Sequence, residues 1–176
     1  NWVDNWDTTG SAQTWVHAAD SLPGPAGYPT GYGNHIVTES PLAAGENVAV
    51  RHFEPFTTGR IYASGLLMYE YANSGTYLGL ALMSNTTEMA FAGRPLQDQE
   101  KLGLDVGGVQ TMSEELFWAG SAASPHYQAV VMMYDFGTSE LKAWIFEYME
   151  EGIPVQEPPP AITRPLAAGT ITSVNG

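Results

Sequence analysis

From Gly59 to Gly108 the chain alternates between apolar and lighter positions in short runs broken by turn residues. Between Gly75 and Ser84, Leu78, Leu80 and Leu82 fall on one side of an extended strand and Tyr77, Gly79, Ala81 and Met83 on the other, because strand side chains alternate in direction. Arg60 to Tyr71, Glu88 to Arg94 and Lys101 to Val106 read the same way, so the stretch predicts a meander of antiparallel strands. His126 to Phe136 and Glu140 to Met149 form a second clear unit, a hairpin joined at GTS. Both of its faces are largely apolar. Coverage by loops accounts for the row Trp144, Phe146 and Tyr148; the alternative is an aromatic platform.

The remainder is punctuated more heavily. Ser11 to Ala18, Asn34 to Glu39 and Asn47 to Phe53 each suit one strand, with the Pro and Gly-rich loop SLPGPAGYPTGYGN between the first two. Gln110 to Ser124 loses strand periodicity and reads as a long excursion with a helical turn at Ser113 to Leu116, Ser113 being the cap. Residues 150 to 168 read as a proline-rich crossing, and Thr170 to Val174 as a last strand. About ten short strands without a long helix predict one all-β domain over residues 1–176, an antiparallel two-sheet sandwich.

Charge narrows the partners. The 176 residues hold 19 acidic and 6 basic side chains, a formal net charge of −13, which repels phosphate backbones and anionic membranes and argues against nucleic-acid binding. There is no Cys for a disulfide framework, and no apolar run reaches the roughly 18 residues of a membrane span. The chain opens NWVDNWDTTG without Met, which reads as a processed form or as a domain excised from a larger secreted protein. A start and a finish that do not pair as terminal strands would leave a sheet edge open to a protein partner or to self-assembly.

Sites of chemistry are sparse. The four histidines, His17, His35, His52 and His126, lack the close spacing of a zinc site, and neither a Gly-x-Ser-x-Gly elbow nor a phosphate-binding glycine loop occurs. Glu114 and Glu115, as neighbours on a strand, would point to opposite faces, and Glu147, Glu150 and Glu151 cluster at a strand end before a loop; both sets read as solvated charge rather than as a catalytic carboxylate pair.

The succession TGRIYASGLLMYEY, SGTYLGLALM, EMAFAGRP, KLGLDVGG and HYQAVVMMYDFGTSELKAWI resembles the laminin-G-like or concanavalin A-like jelly rolls of bacterial secreted and cell-surface proteins, over residues 11 to 174. The resemblance implies a concanavalin-like jelly roll, an extracellular or cell-surface location and a ligand such as a polysaccharide or other glycan. Hydrolases of that superfamily carry a Glu-x-Asp-x-Glu or Glu-x-Asp-x-x-Glu run, which this chain lacks, so the expectation is a non-catalytic lectin-like module; the alternatives are an assembly domain or a glycoside hydrolase or lyase with another site. The candidate sugar-binding residues are Tyr28, Tyr32, Arg94, Asp105 and Trp118, rings for stacking and polar groups for hydroxyls. Sandwiches of this kind often hold a structural calcium, for which Asp105 and Asp135 are the candidates; the blander account makes both ordinary turn aspartates that bond their own backbone.

Overall fold

Strand alternation becomes pairing in twelve strands, β1 to β12, of a computed structural model that describes residues 7–10, 15–18, 35–38, 47–50, 52–67, 78–95, 101–116, 128–147 and 157–176. No helix occurs among the described residues. Two short antiparallel pairs come first: β1 (Asp7–Gly10) with β4 (Asn47–Val50), and β2 (Trp15–Ala18) with β3 (His35–Thr38). Strand β1 was hidden in the sequence by the surrounding Trp and Gly.

Two four-stranded antiparallel sheets carry the core. The first runs β12 (Ile162–Pro165), β11 (Glu140–Glu147), β10 (Gln128–Asp135), β5 (Arg60–Leu67). The second runs β6 (Leu78–Ser84), β7 (Thr87–Arg94), β8 (Lys101–Val106), β9 (Val109–Leu116). Registered partners share a face, so Leu80, Ala92 and Leu104 line one side of the second sheet, and Ala63, Met132, Ala143 and Ile162 one side of the first. These sides meet in a single buried cluster with Leu82, Leu102, Val130, Tyr134 and Leu141, giving a sandwich-like arrangement. Each fully buried aliphatic side chain there contributes about 1.5–3 kcal/mol.

Three segments differ from the sequence reading. Val109–Leu116 is a strand, not an excursion with a helical turn, because Gly107 and Gly108 adopt φ of 62° and 79° and form a two-residue turn that folds Val109 back onto Val106. Ser113 caps no helix: its hydroxyl accepts from the Glu115 amide at 3.1 Å, a local loop of the kind that competes with regular structure. The proline-rich crossing contains β12, and Thr170 to Val174 makes only one bridge, Val174 with Phe56. Residues 174–176 nevertheless bond within the chain: the Met83 amide donates to the Gly176 carbonyl and the Phe53 amide to that of Asn175, so this segment covers part of the β6 edge.

The far side of the second sheet is held tightly. A side chain on Gly79 would place its Cβ 2.3 Å from the Ala92 carbonyl and 2.4 Å from the Phe91 ring, and one on Gly93 would sit 2.2 Å from the Leu78 carbonyl. Glycine is required there because the Phe91 ring lies along the row that a Cβ would occupy.

Candidate functional site

The outer face of the first sheet offers more exposed aromatic surface than its inner face. Cross-strand rows on it are Arg60, Asp135, Glu140; then Tyr62, Met133, Lys142; then Ser64, Val131, Trp144; then Leu66, Ala129, Phe146. Tyr62 is 49% exposed, whereas Trp144 is 3% exposed. The difference comes from the segment before β12: the Trp144 indole Nε1 donates to the Pro158 carbonyl at 2.8 Å. Tyr62, Val131, Trp144, Phe146, Glu157 and Pro158 together line an open apolar depression of about 90 Å³. Of the row Trp144, Phe146 and Tyr148, Trp144 is covered by the segment before β12, as the loop-coverage reading expects, Phe146 is half-buried, and Tyr148 lies outside the described residues; the open ring on this face is Tyr62 of β5.

One end of the face is polar. Arg60 Nε donates to Asp135 Oδ2 at 2.7 Å, and Lys142 Nζ lies 3.3 Å from Glu140 Oε2. Asp135 also accepts at Oδ1 from the Gly137 and Thr138 amides, at 2.8 and 3.1 Å. The Arg60 hydrogen bond, then the Thr138 and Gly137 amides, hold its carboxyl below the usual range, while Asp135 first and Tyr62 second raise the Arg60 guanidinium. Asp135 thus holds the arginine in the row next to that of Tyr62, on the same face of β5, with its side chain 58% exposed.

The residues selected from sequence are distributed elsewhere. Tyr28, Tyr32 and Trp118 lie outside the described residues. Arg94 and Asp105 stand near strand ends but are buried, at 0% and 7% exposure. They also occupy opposite faces of the second sheet: Arg94 pairs with Leu78 on the core side, and Asp105 with Phe91 and Gln110 on the outer side. One bound ligand cannot contact both through the sheet. The two calcium candidates are equally separated, since Asp105 belongs to the outer face of one sheet and Asp135 to that of the other. Each serves its own turn, Asp105 by accepting from the Gly108 amide at 2.9 Å and Asp135 through the bonds above. Among the described residues, no group of three or more His, Cys, Asp or Glu side chains is gathered for a metal. Glu114 and Glu115 are exposed, the former 3.2 Å from Lys101 Nζ.

Sequence reasoning missed Arg60, Tyr62 and Pro158. The available signal was parity: Arg60 and Tyr62 share a strand face, as do Trp144 and Phe146, yet only registered pairing with β10 sets these two faces side by side. No helix among the described residues is long and apolar enough to cross a membrane. Comparisons with protein-family models, with curated protein sequences and with solved structures find no match to this chain.

Proposed function

We propose that the protein is a non-catalytic carbohydrate-binding module of a secreted or cell-surface protein, built as a concanavalin-like or laminin-G-like jelly roll. The carrying observation is the half-exposed Tyr62 ring, set in an apolar depression with Val131, Phe146 and the Trp144 edge and flanked by Arg60. A pyranose presents an apolar C–H face with hydroxyls around its rim. A ring to stack on and a fixed polar donor beside it match that shape. The face's carboxylates Asp135 and Glu140 each engage a basic neighbour, which supports binding rather than acid–base chemistry. The extracellular or cell-surface location belongs to the same reading, and the net charge of −13 disfavours nucleic acid as a partner.

Isothermal titration and nuclear magnetic resonance titration with soluble oligosaccharides test this reading. Binding that perturbs Tyr62 and Phe146, and that Tyr62→Ala abolishes without lowering thermal stability, is the expected result. Failure of every oligosaccharide to bind at millimolar concentration would overturn it.

A further inference from the structure

The depression carries its own charge balance. Arg60 and Lys142, the cations in the first two rows of the outer face, are each tied to a carboxylate of the first row, and Glu157 is the charged residue in the lining of the depression itself. Among the described residues of this face, two cations stand against three carboxylates, a net negative balance in a chain already at −13. An acidic sugar would be repelled here and would compete with Asp135 for the guanidinium. An uncharged sugar meets neither obstacle, because it needs only the ring face and the donor edge of Arg60.

We infer that this face selects neutral glycans over uronate or sulfated ones, and that Arg60 held by Asp135 is the pair that sets the preference. The inference rests on the carbohydrate-binding reading above and names its ligand class. Arg60 supplies hydroxyl-directed hydrogen bonds at a fixed position beside Tyr62, and Asp135 cancels the charge that would otherwise recruit an anion.

Asp135→Asn separates these roles. The asparagine retains an Oδ1 to accept from the Gly137 and Thr138 amides but no longer offers Arg60 a charged partner. Binding is measured with neutral hexasaccharides (cellohexaose, xylohexaose, mannohexaose) and with hexagalacturonate as the acidic probe. The unaltered protein should bind a neutral probe and favour it over the uronate. D135N should tighten uronate binding about two- to fivefold, a gain that disappears as salt screens an exposed charge. Glu114→Gln removes one negative charge from β9, away from this face, and should give no such gain. Arg60→Gln should lose neutral-probe affinity and gain nothing for uronate, and this holds the test open should D135N fail to fold. Preference of the unaltered protein for the uronate, an equal gain in E114Q, or a gain in R60Q would overturn the selectivity while leaving glycan binding intact. Absence of binding to every probe would overturn both.

Discussion

The Trp144 indole nitrogen donates to the Pro158 carbonyl across 2.8 Å, which fixes the segment ahead of β12 over the outer face of the sheet that β12 itself completes. Trp144→Phe keeps most of the buried ring and deletes that bond. The expected loss is about 1 kcal/mol, seen as a lower urea midpoint with an unchanged slope. Trp144→Ala should cost about 3–5 kcal/mol, because a cavity replaces a ring that is 3% exposed.

Glycine substitutions should rank by what the new methyl meets. Gly79→Ala collides with the Ala92 carbonyl at 2.3 Å as well as with Phe91, and a backbone oxygen in a paired strand cannot move aside. Gly65→Ala meets only the end of the Leu80 side chain at 2.8 Å, which can rotate. Thermal unfolding should therefore place G79A well below G65A, with about 1–3 kcal/mol or more lost in the former.

The turn after β8 tests a different property. Gly107 and Gly108 have open space around the missing Cβ, so any loss on substitution reports the positive φ rather than a clash. Alanine at either position should cost about 1–2 kcal/mol, and Gly107→Asn distinctly less, since asparagine tolerates the left-handed region. Equal losses for alanine and asparagine in chemical denaturation would contradict this account.

Asp135 links stability to pH with a definite sign. Its carboxyl is held below the ordinary range by Arg60 and by the turn amides, so its contribution is present above the ordinary carboxylate pKa and is lost as pH falls through the depressed folded value. The stability difference between the unaltered protein and D135N should be constant near neutrality and shrink in acid below about pH 4. Raising calcium to millimolar concentration should leave the stability difference between the unaltered protein and D135N unchanged, since the Asp135 oxygens already accept from two amides and a guanidinium.

Much of the fold was legible from residue alternation alone. Leu78, Leu80 and Leu82 occupy one face of a strand in any register, and Val130, Met132 and Tyr134 likewise, so period two was enough to group the residues that share a face, and the structure puts these two groups in the core. Turn chemistry was legible where it was used: Asp105 and Asp135 do bond their own turns. Val109–Leu116 escaped because its polar sequence VQTMSEEL hides the alternation, and its strand state depends on the glycine turn that returns it to β8.

The sequence by itself determined that this chain builds antiparallel sheets with apolar faces, because strand periodicity and turn residues act within a few positions of one another. It did not determine which faces become surface, or what stands beside what. Tyr62 lies 69 positions before Val131 and 82 before Trp144, and they line one depression only because β5 and β11 both pair with β10. Arg94 and Asp105 are close in sequence yet separated by the sheet itself. Sheet register, a long-range property set by packing of the whole core, decided the candidate site.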